Sequence, residues 1–197
     1  MTKICAIALI AAGASADVYT DRSAFEDAVG PVLIETFADS PLVGTTYDGG
    51  LLAMAFDDFD VASKGPAIKV IDRAFAGSYS TSDDDRYLYL DTDIGFIGSS
   101  VEFRFEPTHA VGFDFTGVGE VGNEFTIMID GQFIEIASGG EAEDGFFGYT
   151  SESTFSTFVV ATTTDSAYGV DQVTFATVPA PATLGVLGVM GRRRRRR

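Results

Sequence analysis

Between Ser100 and Phe105 the chain alternates strictly, with Val101, Phe103 and Phe105 on one side and Ser100, Glu102 and Arg104 on the other. A helix would scatter these residues around its circumference, whereas a strand puts every second side chain on one face. The pattern returns at Val111, Phe113 and Phe115 and again at Phe125, Ile127 and Ile129. Asp130-Gly131 then reads as a two-residue turn into Phe133, Ile134 and Ile136. Further strand-like runs are 32–37, 51–56, 67–71, 86–90, 146–147, 155–160 and 170–175. Pro107-Thr108-His109 reads as a turn between two of them. One helix is expected near the start, where Ser23 and Glu26 make a capping-box pair, Phe25 and Val29 share a face, and Gly30-Pro31 end it. Many short strands, turns rich in Gly, Asp and Ser, and a single helix predict an all-β fold, an antiparallel β-sandwich with jelly-roll-like character. Most of the seventeen phenylalanines fall at alternating positions and belong to its core.

The two ends differ from this body. Lys3, the apolar run from Ile4 to Ala12, and Ala14-Ser15-Ala16 have the order of a secretory signal helix, so residues 1–16 are expected to leave on export. The one cysteine, Cys5, would leave with them, so the mature body is expected to hold neither disulfide nor thiolate. Residues 17–177 are enough chain for one core. Lys3 and the six terminal arginines account for seven of the thirteen basic residues. The body therefore keeps six against all 29 acidic ones, a formal charge of −23. Such a field repels nucleic acid and anionic surfaces, which excludes a nucleic-acid partner for the body.

The last segment, 178–197, has three parts. Val178-Pro179-Ala180-Pro181 is stiff and extended, because proline fixes its own φ and biases the residue before it. A small apolar run from Ala182 to Gly191 follows, expected as a short helix, then Arg192, Arg193, Arg194, Arg195, Arg196 and Arg197. From Ala180 to Gly191 a helix rises about 18 Å against a hydrocarbon core of about 30 Å, so it spans only with bilayer thinning or arginine snorkelling. The arginines act as a stop to transfer.

This order, with a signal peptide at the other end, resembles the PEP-CTERM sorting tail of bacterial surface proteins. The family's central Glu is Ala180 here. The resemblance implies an exosortase-like processing enzyme as partner, cleavage near Val178–Pro181, transient anchoring in the inner membrane, and a final place at the cell surface or in the extracellular matrix. Ala110–Phe115, Gly145–Tyr149 and Tyr168–Phe175 also resemble extracellular β-sandwich domains that precede such tails and are loosely similar to carbohydrate-binding modules. In similar sandwiches an aspartate on the last strand joins a first-strand acid to bind structural Ca²⁺. Carried onto this chain, the resemblance implies Glu35, Asp39 and Asp171 as ligands, with backbone carbonyls completing the shell.

The remaining chemistry is sparse. Asp57-Asp58-x-Asp60, Asp83-Asp84-Asp85 and Asp91-x-Asp93 read as solvated loop charge. His109 is the one histidine, in what reads as a turn, and no G-x-S-x-G is present, so no catalytic residue is assigned. With no tryptophan, sugar stacking would fall to tyrosines, and Tyr47, Tyr79, Tyr149 and Tyr168 stand in loop-like surroundings. The expectation is an exported, non-catalytic structural or matrix protein. The alternative is a module that binds extracellular polysaccharide, with or without calcium.

Overall fold

A computed structural model of the chain describes residues 16–44, 49–65, 67–74, 86–91, 100–116, 124–137, 145–162 and 167–176. The expected signal helix and the sorting tail lie outside the described residues. In chain order the elements are β1 (Ala16–Tyr19), α1 (Arg22–Val29), β2 (Val32–Glu35), β3 (Ala53–Ala55), β4 (Phe59–Lys64) and β5 (Ala67–Asp72). They continue with β6 (Arg86–Asp91), β7 (Ser100–Thr116), β8 (Glu124–Ile129), β9 (Gln132–Ala137), β10 (Gly145–Thr162) and β11 (Ala167–Ala176). Among the described residues all of the strand pairs are antiparallel. The expected all-β sandwich with one short helix is what the chain forms.

Two long strands build it. β7 and β10 are each shared by both layers. The first half of β7 pairs with the second half of β10 (Arg104 opposite Thr157, Val101 opposite Val160). The second half of β7 pairs with the first half of β10 (Phe113 opposite Phe147, Val111 opposite Tyr149). The register shifts between Thr150 and Thr157, where the pair bends from one layer into the other. One layer then reads β9-β8-β10-β7-β4-β3, and the other reads β1-β10-β7-β11-β6-β5 with β2 also on β11.

The bend corrects the expected turn at Pro107-Thr108-His109. β7 runs through it unbroken. Proline offers no N–H, so it suits the place where the ladder breaks register, and the Thr108 hydroxyl takes up the slack by donating to the Ala110 and Ala176 carbonyls, both at 3.1 Å. For the same reason the polar run Thr150–Thr154, which reads as a loop, is the middle of a strand. Strands β1 and β4 have no counterpart among the expected runs, and Asp60 lies in β4 rather than a loop.

The alternating faces meet in one core. Phe103 stacks on Phe158 with centroids 4.4 Å apart, Phe113 on Phe158 at 5.3 Å, and Phe105 and Phe59 both reach Phe175 from the other layer. Tyr149 and Tyr168, expected in loops, are fully enclosed core residues. Tyr87 and Tyr89 are also buried, in a second small cluster with Ile71. Tyr47 and Tyr79 lie outside the described residues.

The helix closes one outer face. Its N-cap is Asp21, whose Oδ1 accepts the Ala24 N–H at 2.8 Å, rather than the expected Ser23. Phe25 is buried on the outside of the β1-containing layer with Ala110 and Phe146, and Tyr19, Val29 and Ala176 pack around them. Gly112 and Gly148 make room for it. A Cβ at Gly148 would lie 2.7 Å from Phe25 and 2.8 Å from Phe146.

Candidate functional site

Asp171 lies in β11 opposite Asp114 of β7, and it is fully buried. Its Oδ1 accepts the N–H of Gln172 at 2.7 Å. The ladder breaks register at this point, and Gln172 takes a φ of +45°, so the carboxylate satisfies an amide that the bulge has turned out of the ladder. Arg22, from the first turn of α1, completes the arrangement. Its Nη2 donates to the Gln172 carbonyl at 3.0 Å and lies 3.0 Å from Asp114 Oδ2, and its Nη1 donates to Thr174 Oγ1 at 2.9 Å. The guanidinium also sits over the Phe146 ring, 4.8 Å from its centroid.

The calcium ligands implied by resemblance are not gathered. Glu35 folds back on its own chain, with Oε1 accepting the Phe37 N–H at 2.8 Å, and Asp39 is exposed. Among the described residues no three His, Cys, Asp or Glu side chains form a group that could hold a metal ion, Glu35, Asp39 and Asp171 included. This corner holds a bulge and a helix together, and its donor set does not fit a calcium site. His109 is half-buried in β7, with Nδ1 3.1 Å from the Ser151 carbonyl, rather than in a turn.

The layer away from the helix presents a different surface. Ile127 and Ile129 of β8 point into the core, so Met128 points out. The β8–β9 hairpin turns through Asp130 (φ 50°) and Gly131 (φ 74°), as expected from the sequence, and places Phe133 directly opposite Met128. Phe133 is 76 % exposed and Met128 is 39 % exposed. The same row continues through Val159 of β10, Glu102 of β7 and Ala62 of β4. With strands about 4.8 Å apart, these five residues form a shallow strip about 19 Å long.

A polar row runs beside it: Thr157, Arg104 and Asp60, opposite one another on β10, β7 and β4, all exposed. Arg104 Nη2 donates to Glu102 Oε2 at 2.7 Å across the two rows. That hydrogen bond holds the Glu102 carboxyl below the ordinary carboxylate range, and Lys64 adds to the effect. An open hollow of about 310 Å³ adjoins the polar row, lined by Asp57, Asp58, Asp60, Arg104 and Glu106 above the Phe56, Phe59 and Phe105 rings.

The sequence places Phe133 in a strand but does not single it out. The signal was present in the hairpin register, because a two-residue Asp-Gly turn pairs Phe133 with Met128 and leaves Ile134 to the core side. The sorting residues Val178, Pro179, Ala180, Pro181 and Arg192 to Arg197 lie outside the described residues, as do Asp83–Asp85 and Asp93.

No protein-family model and no curated protein matches the chain. Among solved structures, it is similar to two variants of the family 29 carbohydrate-binding module CBM29-2. One has 9 % identity and a TM-score of 0.43 over 72 % of this chain and 97 % of that one. The other has 8 % identity and a TM-score of 0.43 over 77 % and 99 %. The CBM22-1–GH10 modules of endo-1,4-β-D-xylanase 10B from Clostridium thermocellum, complexed with xylohexaose, align at 11 % identity and a TM-score of 0.37, over 61 % of this chain and 27 % of that one.

Proposed function

We propose that this is an exported, non-catalytic surface or matrix protein whose sandwich binds polysaccharide through the open face of β9-β8-β10-β7-β4. The observation that carries the reading is the asymmetry of the two outer faces. One is covered by α1, with Phe25 buried on it, while the other leaves Phe133 exposed beside a row of hydrogen-bonding side chains. A sugar ring has an apolar C–H face and a rim of hydroxyls. An exposed aromatic ring meets the first, and an Arg–carboxylate pair with a neighbouring Thr meets the second.

Export and sorting belong to the same proposal. β1 begins at Ala16, the end of the Ala14-Ser15-Ala16 site, and β11 ends at Ala176, two residues before Val178. The export motif thus ends on the first residue of β1, and the sorting motif begins just beyond β11.

The test is binding of the full chain to a panel of soluble polysaccharides by affinity electrophoresis. Saturable retardation by at least one polymer supports the reading. Unchanged mobility across the panel overturns polysaccharide binding. Mass spectrometry of the protein from its native host tests the sorting half, which an intact Arg192–Arg197 end on the surface-located form would refute.

A further inference from the structure

We infer that the polysaccharide taken by the open face is uncharged, and that Phe133 with Met128 supplies its stacking platform; this rests on the polysaccharide-binding reading above. Among the described residues the face has two cations to offer, Arg104 and Lys64. Arg104 is already committed, since its Nη2 donates to Glu102 at 2.7 Å and Asp60 lies opposite it in register. Lys64 also sits close enough to Glu102 to favour that carboxylate's charged form. A uronate or sulfated polymer would therefore meet one cation bonded to Glu102 and a second that acts on the same carboxylate. It would also meet Asp57, Asp58, Asp60 and Glu106 at the adjoining hollow, within a body of formal charge −23.

A second copy of the chain is disfavoured on the same ground, because it brings the same excess of carboxylates to the contact. A polyamine would be attracted to the whole body and would need no particular face. A neutral chain escapes all three conditions. It gains from the ring of Phe133 and the thioether of Met128, and its hydroxyls can bridge Glu102 and Arg104 of β7 and Thr157, which lies opposite Arg104 on β10.

The test uses the full chain and three kinds of polymer: neutral glucans, mannans and galactans; alginate, a polyuronate; and chitosan, a polyamine. Titration calorimetry is run in dilute buffer and at about 1 M salt, where charges are screened within about 3 Å. The expected result is saturable binding to a neutral polymer that salt leaves unchanged. Phe133→Ala is expected to weaken it by roughly tenfold, and Leu33→Ala, an exposed leucine of β2 in the other layer, to leave it as it was. Saturable binding to alginate alone that Phe133→Ala weakens would overturn the uncharged class while sparing the polysaccharide reading. Binding to chitosan alone, lost in salt, would also overturn it. Neutral-polymer binding that Phe133→Ala leaves intact would overturn the platform, and no binding to any polymer would overturn the function itself. A concentration-dependent dimer in sedimentation, dissolved by Phe133→Ala, would reassign the face to self-contact and overturn the inference.

Discussion

Arg22 reaches from the first turn of α1 to the carbonyl of Gln172, 3.0 Å away and 150 residues later in the chain. The contact joins the helix to the strand that bulges beneath it. The same side chain pairs with Asp114 and covers Phe146, so one residue fixes the seating of the helix on the sheet. Arg22→Ala is expected to destabilise the fold by about 1–3 kcal/mol, because it leaves Asp114 and the Gln172 carbonyl to find other partners. Urea denaturation measures this. A change inside experimental error would show that the helix is held by Phe25 alone.

Gly148 tests the same seating from below. A Cβ there would meet the Phe25 and Phe146 rings at 2.7–2.8 Å. Gly148→Ala is expected to cost about 1–3 kcal/mol by lifting α1 from the sheet. Amide exchange in 22–29 should accelerate, and unchanged protection there would contradict the packing.

Two phenylalanines of the β9-containing layer should separate stability from binding. Phe103 stacks on Phe158 and Phe113 inside, while Phe133 stands in solvent. Phe103→Ala is expected to cost about 3–5 kcal/mol. Phe133→Ala should change stability by no more than about 0.5 kcal/mol, so any loss of polysaccharide affinity in that variant reports on the face and not on folding. A Phe133→Ala protein that unfolds like Phe103→Ala would mean that Phe133 is not exposed in solution.

Alkali provides a further probe of the core. Burial pushes the Tyr168 phenol above its ordinary range, and burial followed by the nearby Asp130 charge pushes Tyr149 up as well. Both phenols hold their protons more tightly when folded than when unfolded. The stability they contribute is complete below the unfolded value of about 10 and is lost as pH rises above it. Denaturation midpoints should fall as pH rises above about 10, and Tyr168→Phe should flatten that slope. A slope equal to that of the wild type would place the titration elsewhere.

The bulge on β11 makes a prediction about metal. Asp171 accepts the Gln172 amide and is fully enclosed, so Asp171→Ala is expected to cost about 1–3 kcal/mol through an orphaned buried N–H. Calcium added after chelation should leave the melting temperature where it was. A calcium-dependent rise that disappears in Asp171→Ala would restore the metal site that resemblance implied for Glu35, Asp39 and Asp171.

How far the sequence could be read depended on periodicity. Val101, Phe103 and Phe105 declared their face because nothing interrupts the alternation, and all three are buried. Pro107 and the Thr150–Thr154 run concealed the two longest strands, because residues that suit a turn also suit a strand bending between layers. Asp171 stands among apolar neighbours in β11 and is buried. Its role was hidden because the amide it serves exists only once β11 has slipped register against β7. Phe133 was hidden differently. Exposure of an aromatic is set by the register of its hairpin, and a strand rich in Phe and Ile reads as core until the turn is counted through.

The pairing of β1 with β10 and of β2 with β11 has a consequence for the order in which the fold can appear. Ala16 is partnered by Ser151, and Val32 by Ala176. A chain delivered from its N-terminus has to keep its first two strands waiting until nearly all of the remainder has emerged. Closure of such distant loops is slow, and partial chains expose unpaired edges meanwhile. The body should therefore stay loose for most of its synthesis and lock late, when its final strand arrives to receive β2.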